Sequence, residues 1–300
     1  KRAGVQRRSR DGLIRTPRAS AVLHCPGPVP SVYYSARRPY AASFRPSASP
    51  VQRDTDGNFP TMTSTSDQTI HVENIARLDP HRAARTGFPE VIYAPGKSTD
   101  DLRDIIAALR DAGVVNVLVS RLEAERFDLL HPVDADARYY PRSRMAVFLP
   151  STLPETRGDI AVVTAGSSDL AVAEEIEVAC AHAGSRTTRF ADVGVAGLHR
   201  LTDILPALSS ARVILCLAGM EAALPSVLAG LVSAPVIGVP ISAGYGVNAG
   251  GWNALHSMLG SCAPGVLVVN IDNGIGAAAA AHRINMLGES SVPGKGGGDE

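Results

Sequence analysis

Five strand-like segments, most of them apolar runs and each opening into a glycine-bearing turn and then a helical stretch, constrain the fold of this chain more than any other feature. They lie between residues 157 and 288, with strands expected at 159–164, 187–191, 212–218, 235–239 and 265–270. The run Val213-Ile-Leu-Cys-Leu-Ala218 is apolar on both faces of its pleat, which is how a strand covered on both sides reads. Repeated βα units predict a parallel sheet between helical layers, with ligand loops at the C-terminal ends of the strands. The expected class is α/β, a three-layer α/β/α sandwich over 151–288.

A smaller α/β unit is expected at 70–150. Glu90-Val-Ile-Tyr-Ala94 reads as a strand that exits at Pro95-Gly96-Lys97. Ser98 or Thr99 then caps a helix with Leu102, Ile105, Ile106 and Leu109 on one face. Val114–Val119 is a second strand, leaving at Ser120-Arg121, and 134–144 reads as a loop into a strand at Met145–Leu149. Residues 1–69 read as a disordered basic leader, with eleven Lys/Arg against three acids over 1–61 and no apolar period. The first methionine is Met62, and translation is expected to start there. An organelle transit peptide is the alternative. A nucleic-acid arm is more remote, because its arginines are not interleaved with a folded platform. The tail 289–300 is Gly/Ser-rich and expected to be flexible.

A formal net charge of zero argues against a whole-chain nucleic-acid or membrane-surface role. No apolar run reaches the roughly 18 residues of a membrane span. The four cysteines, Cys25, Cys180, Cys216 and Cys262, show neither CxxC nor metal-type spacing. Neither a zinc site nor a disulfide framework is indicated, and a reducing cytoplasm fits. Cys180 shares a helical face with Val172, Ile176 and Ala179, and Cys216 sits mid-strand, so both read as core. Cys262 follows a helix carrying Trp252, Leu255 and Leu259 and precedes Ala263-Pro-Gly265. A loop thiol is the better nucleophile candidate.

The strand exits carry the polar candidates. Gly166, Ser167, Ser168 and Asp169 offer donors at a helix start where the dipole favours an anion, although Ser and Asp also serve there as caps. The next exit holds Asp192, Gly194, Gly197, His199 and Arg200, and the third holds Gly219, Met220 and Glu221. Ser242, Gly244, Tyr245 and Gly246 follow, then Asn270 and Asn273. No GxGxxG or Walker pattern accompanies them, which argues against a dehydrogenase-type dinucleotide fold. His182 and His256 read as packing or surface residues. Glu221 and Cys262, expected on loops at one edge of the sheet, suit covalent catalysis on an electrophile.

Residues 157–288 resemble the aminoimidazole-ribonucleotide carboxylase (PurE-like) domain. The residues that carry this are the Gly-Ser-Ser-Asp169 turn, His199-Arg200, the Ala-Gly…Leu-Pro225 turn, Pro235-Val-Ile-Gly-Val-Pro240 and Asn248-Ala-Gly250. The chain is more similar still to the pyridinium-3,5-biscarboxylic acid mononucleotide synthases, the LarB family of nickel-pincer nucleotide cofactor biosynthesis. That likeness lies in Asp192–Arg200, Ala218–Ser226, Ser261-Cys262 and Val269–Gly274, and in Arg82–Glu90, Gly96-Lys97 and Ser120-Arg121 of the first unit. Purine carboxylases carry a proton-transferring histidine before the Leu-Pro of the turn, and here that position is Ala223.

The resemblance implies a PurE/flavodoxin-like sheet and carboxylation of nicotinic acid adenine dinucleotide at ring C5 by CO2 or bicarbonate. It also implies cleavage of the phosphoanhydride with release of AMP. Cys262 would form a transient adduct and Glu221 would be the general base. The glycine loops with Ser167, Ser168, His199 and Arg200 would hold ribose phosphate, and Lys97 and Arg121 the adenylate half. No tightly bound cofactor is expected. Mg²⁺ on the diphosphate is compatible with this chemistry, though no ligand cluster marks it. The Ala-rich helix at Ala277–Ala281 predicts a close helix contact, and a homo-oligomer is expected.

Overall fold

Residues 69–72, 75–153 and 158–287 are described by the computed structural model. The expectations for the basic leader, Met62, Cys25 and the tail therefore fall outside the described residues. Two short strands, β1 (Ile70–Val72) and β2 (Ala76–Leu78), pair antiparallel ahead of α1 (Arg82–Thr86). The first main sheet is built from β3 (Val91–Tyr93), β4 (Val117–Ser120), β5 (Arg138–Tyr140) and β6 (Met145–Phe148) in the order β3-β4-β6-β5. Helices α2 (Thr99–Asp111) and α3 (Ala124–Leu130) lie within this unit.

The start of α2 follows from local chemistry. The Ser98 hydroxyl accepts from the Asp101 amide while the Asp101 carboxylate accepts from the Ser98 amide, a reciprocal capping box. Leu102, Ile105, Ile106 and Leu109 are buried, as their spacing predicts. Each such side chain contributes about 1.5–3 kcal/mol by leaving water.

One expectation here is corrected. The segment 134–144 is not only a loop: Arg138–Tyr140 form β5, an edge strand in register with Met145–Val147. Three residues are too few for a period-2 pattern to be read, and tertiary contacts hold them instead. Tyr139 stacks on Phe127 at 5.0 Å and donates to the Leu122 carbonyl at 2.8 Å.

The second sheet contains β7 (Asp159–Thr164), β8 (Arg186–Phe190), β9 (Val213–Ala218), β10 (Val236–Pro240) and β11 (Val266–Val268). The intervening helices are α4 (Leu170–His182), α5 (Leu198–Leu208), α6 (Ala223–Ala229) and α7 (Trp252–Leu259), and α8 (Gly274–Met286) closes the unit. All pairings in this sheet are parallel, in the order β8-β7-β9-β10-β11, which is the PurE/flavodoxin-like arrangement. The chain reverses direction across the sheet between β7 and β9, so its topological switch point lies there.

Side-chain alternation decides how the layers stack. In β4 and β6, Val117, Val119, Ala146 and Phe148 face α2 and α3, while Leu118, Met145 and Val147 join a core with α4, α8 and one face of the parallel sheet. The other face of that sheet packs on α5, α6 and α7. The close contact expected of the Ala-rich helix is made inside the chain. Ala277, Ala278 and Ala281 are fully buried in the core that also contains Ala173, Ile176 and Ala179 of α4, so they supply no oligomer surface. No helix among the described residues is long and apolar enough to cross a membrane.

Candidate active site

Three loops converge at the switch point. After β7, Asp169 is buried and both its oxygens are engaged: one accepts from the Gly166 amide at 2.9 Å, the other from Ser168 Oγ at 3.1 Å. Burial raises its carboxyl pKa, opposed by those hydrogen bonds and one from the Ala165 amide. Asp169 is thus the clamp that shapes the loop ahead of α4, and its side chain makes no cap hydrogen bond to that helix.

After β8, the Asp192 amide donates to Thr164 Oγ1 at 3.2 Å, and the Asp192 carboxylate pairs with Arg200 at 2.7 Å. After β9, Glu221 stands exposed between Met220 (φ 54°) and Ala222 (φ 50°). Left-handed backbone costs a non-glycine residue about 1–2 kcal/mol. Holding Glu221 between two such residues is strain stored at a strand exit, where it fixes the direction of the turn.

Two glycines let these loops close on one another. A Cβ on Gly194 would lie 2.7 Å from the Ala165 carbonyl oxygen, and one on Gly219 would lie 2.5 Å from that of Ala243. Both obstacles are backbone. Gly219→Ala is therefore expected to destabilise the protein by about 1–3 kcal/mol, the usual cost of overpacking. Thermal denaturation checks this.

The loops enclose a cavity of about 280 Å³ lined by Gly166, Ser168, Asp169, Gly194, Arg200, Gly219, Met220 and Glu221 among others. Donors at the start of a 13-residue helix, a guanidinium and an exposed carboxylate meet there. That set can hold an anion and move a proton nearby.

A smaller recess of about 230 Å³ shares Ser168 and Ala243 with this cavity, and contains Arg121, Arg142, Arg144, Glu175, Ser242 and Asp272. A cleft of about 690 Å³ between the two sheets' units shares Arg121, Glu175 and Asp272 with the recess. Glu175 is only 8% exposed. Desolvation raises its pKa to about 7, opposed by Arg121, the Ile275 amide and Arg144, with Asp272 adding to the rise.

Between about pH 4.5 and 7 the folded protein holds this proton and the unfolded chain does not, so its contribution to stability falls as pH rises through that window. Glu175→Gln is expected to flatten that slope and to stabilise the protein at pH 8 by at most about 3 kcal/mol. Denaturant titrations at pH 5 and pH 8 measure it.

The other expected site residues are dispersed. Ser167 and His199 are exposed and line none of these spaces. Gly197 packs against Arg200, its ideal Cβ 2.8 Å from Nε. Ser242 sits in the recess, where its amide donates to Asp272 Oδ1 at 2.9 Å. Gly244 closes on the Asn248 carbonyl, Gly246 stands in open space, and Tyr245 is 76% exposed. Asn270 and Asn273 line the interdomain cleft, and the Asn273 side chain caps α8 by accepting from the Gly276 amide at 2.8 Å. Lys97 Nζ donates to the Tyr93 carbonyl at 3.0 Å and lines none of the cavities described.

Cys180 and Cys216 are buried, and desolvation pushes the Cys180 thiol up to about 12. Cys262 is exposed. It lies on the loop from α7 into β11, and β11 runs parallel to β10. That loop is at the N-terminal edge of the strands, tied to α6 by a 2.7 Å bond between the Ser226 and Ser261 hydroxyls. Glu221 follows the C-terminal end of β9. The expectation of one shared edge is corrected: within one chain the two groups sit at opposite ends of the sheet. The physical reason is alternation, since a helix returning from a strand exit must end where the next parallel strand begins.

Arg142, Arg144, Glu175 and Asp272 escaped the sequence reading. The pair Arg142 and Arg144 was visible as a basic cluster in a supposed loop. Glu175 lies on a helix read only for its core face. Among the described residues, no group of three or more His, Cys, Asp or Glu is arranged to hold a metal ion.

Residues 70–150 match the family model described as the LarB/PurE-like N-terminal domain, and residues 159–295 match that described as AIR carboxylase. An uncharacterized protein of Methanocaldococcus jannaschii, MJ0165, is 35% identical over 224 residues, covering 72% of this chain and 86% of that one. The N5-carboxyaminoimidazole ribonucleotide mutase of the same organism is 33% identical over 138 residues, 44% of this chain and 82% of the mutase.

Proposed function

The chain belongs to the LarB family, with a PurE-like carboxylase domain, and from that premise we propose that it carboxylates nicotinic acid adenine dinucleotide at pyridinium C5 and hydrolyses its phosphoanhydride. The products are pyridinium-3,5-biscarboxylic acid mononucleotide and AMP, a step towards a nickel-pincer nucleotide. Carboxylase-type chemistry is what the family match supports directly.

The observation that carries the finer reading is the equipment of the switch-point cavity. Its exposed acid is Glu221, Asp169 being buried and engaged by the loop, and position 223, where a purine carboxylase has its proton-carrying histidine, is an alanine that lines the same space. A methyl group has no ionisable proton to transfer, so the reaction named for the related mutase lacks that acid–base group here.

A pyridinium ring is electron-poor and does not attack CO2. Addition of the Cys262 thiolate at C4 forms an S–C4 bond and moves an electron pair onto the ring nitrogen. The resulting dihydropyridine is an enamine at C5. That carbon attacks CO2, forming the C5–carboxylate bond and leaving an iminium. Glu221 takes the C5 proton, the S–C4 bond breaks with its electron pair returning to sulfur, and aromaticity is restored. Cleavage of the anhydride consumes one water and places its oxygen on a phosphate. No electrons are gained or lost overall.

Cys262 and Glu221 of one chain are separated by the length of the sheet, so this reading requires a second copy to bring its Cys262 to the Glu221 cavity. Cys262 is exposed, and so are Trp252 and Leu259 of the adjoining helix and Leu267 of the edge strand β11. An apolar, thiol-bearing edge is consistent with such a contact.

Mass spectrometry of the full chain incubated with nicotinic acid adenine dinucleotide and ¹³C-bicarbonate tests the reading. Labelled dicarboxylated mononucleotide together with AMP is expected. Unchanged dinucleotide, with turnover of carboxyaminoimidazole ribonucleotide instead, would reject it.

A further inference from the structure

A further concave space, of about 430 Å³, is within the range of sites that take a whole small ligand. It shares no lining residue with the Glu221 cavity, the recess or the interdomain cleft. The Glu221 cavity opens at the N-terminal end of α4, beside Ser168 and Asp169, whereas Ala181, His182 and Gly184 at the C-terminal end line this space. Thirteen helical residues, about 20 Å of rise, separate the two.

Charge decides what such a space can take. Arg138 opens the edge strand β5 of the first sheet and Arg186 opens the edge strand β8 of the second, so two guanidinium groups reach it from two sheets. Arg138 makes no hydrogen bond or ion pair with any described residue. Arg186 gives only Nε to Asp159, at 3.4 Å, and keeps the donors of its terminal nitrogens. None of the described lining residues is acidic. Burial, followed by the Arg138 charge, holds the His182 pKa below its usual value, so the positive field reaches that ring. A concave surface of one sign concentrates ions of the other, here anions.

The C-terminal end of α4 opposes this with about half an elementary charge. Its carbonyls are partly covered. Gly184 (φ 90°) and Ser185 close the helix, their amides donating to the Ala181 and Cys180 carbonyls at 3.1 and 2.8 Å.

Neutral groups set the rest of the ligand. Ser151, Thr152 and Thr187 line the space, and their hydroxyls bond no described residue. Asn116 donates Nδ2 to the Ser151 carbonyl at 3.0 Å and accepts from the Ser151 amide on Oδ1 at 2.8 Å. The same oxygen lies 3.0 Å from His182 Nδ1, so Nδ1 carries the proton and Nε2 is left as an acceptor. Hydroxyls, an imidazole nitrogen and guanidinium forks together suit a polyhydroxylated phosphate. A nucleobase would need a free aromatic face. Tyr140, the one Phe, Tyr or Trp in the described lining, packs against the core instead.

We propose that this space is a binding site for a sugar phosphate, separate from the Glu221 cavity. Arg138 and Arg186 hold the phosphate, while Ser151, Thr152, Thr187 and His182 Nε2 take the sugar hydroxyls. Because the two arginines belong to different sheets, the bound ligand fastens the two units together beside the segment 150–153 that leads from one to the other.

The test is titration calorimetry on the full chain, with ribose 5-phosphate, ribose, inorganic phosphate and adenosine 5′-monophosphate as separate probes. Ribose 5-phosphate is expected to bind a site that survives Arg200→Ala, the change that removes the guanidinium of the Glu221 cavity. In that background Arg138→Ala and Arg186→Ala should each weaken it about tenfold or more, as should omission of the phosphate from the probe. Thr187→Val should weaken ribose 5-phosphate about threefold or more and leave inorganic phosphate unchanged. Saturating ribose 5-phosphate should also raise the thermal midpoint, and Arg138→Ala should abolish that rise. Arg138 and Arg186 are exposed, so both variants are expected to fold, and the same melting curves check it.

Binding lost altogether on Arg200→Ala, or unchanged by both Arg138→Ala and Arg186→Ala, would overturn the site. Inorganic phosphate or adenosine monophosphate binding as tightly as ribose 5-phosphate in the Arg200→Ala background would overturn its assignment to a sugar phosphate.

Discussion

Cys262→Ser is expected to abolish carboxylation, lowering kcat by about 10³-fold or more, on the scale of removing a covalent nucleophile. A hydroxyl keeps the size and hydrogen bonding of the side chain but not the accessible anion, and only the anion adds to the ring. Cys262 is exposed and belongs to none of the described cores, so the substitution should leave the thermal midpoint within about a degree of the parent. An inactive but unfolded variant and an inactive but folded one are therefore distinguishable. Initial rates with labelled bicarbonate, read beside a melting curve, check both halves of the expectation. Full activity in the serine variant would remove covalent activation from the mechanism.

Glu221→Gln should lower kcat by about 10²–10⁴-fold, the range for loss of a general base, with little change in KM. The amide is nearly isosteric, and the turn that holds it is fixed by Met220 and Ala222 and by the Ala222 amide donating to the Gly219 carbonyl at 2.9 Å. What fails is removal of the C5 proton, a step that follows C–C bond formation. The carboxylated adduct should then accumulate on sulfur. Intact-protein mass spectrometry after quenching is expected to show protein carrying a nucleotide plus one carboxyl group, on the peptide containing Cys262. A variant that loses activity through KM alone, with no adduct, would make Glu221 a binding residue instead.

Much of the parallel sheet was legible because its inner strands are apolar runs between glycine turns, while the edge strand β8, Arg186–Phe190, is polar. Those of 159–164 and 213–218 appear within a residue of where they were read, since a six-residue apolar run bounded by glycine turns is too short for a buried helix and suits a strand covered on both faces. The helix capped by Ser98 was equally plain. Short elements held by tertiary contacts were not, and β5 is the clearest case: its three residues pair because Phe127 and Leu122, far off in sequence, receive Tyr139.

At the site, sequence located the loops but not their division of labour. Asn270 and Asn273 fall at the same sheet edge as Glu221, yet they face the interdomain cleft because α8 packs between the two sheets. Arg142 and Glu175 became visible only when two units, separate in sequence, closed on a shared recess. Cys262 was singled out correctly as an exposed thiol and assigned to the wrong edge. Chemistry type is written in a residue, whereas its position along a strand direction is a property of topology.

In the proposed reaction Glu221 of one copy and Cys262 of another act on the same ring. Co-expression of Glu221→Gln and Cys262→Ser chains with different tags, followed by purification of the mixed assembly, measures this directly. Each parent should be inactive and the mixed assembly should regain a substantial fraction of parental activity, because some of its sites pair an intact Glu221 with an intact Cys262. A mixed assembly as inactive as its parents would contradict a site shared between copies, and with it the covalent route across the sheet.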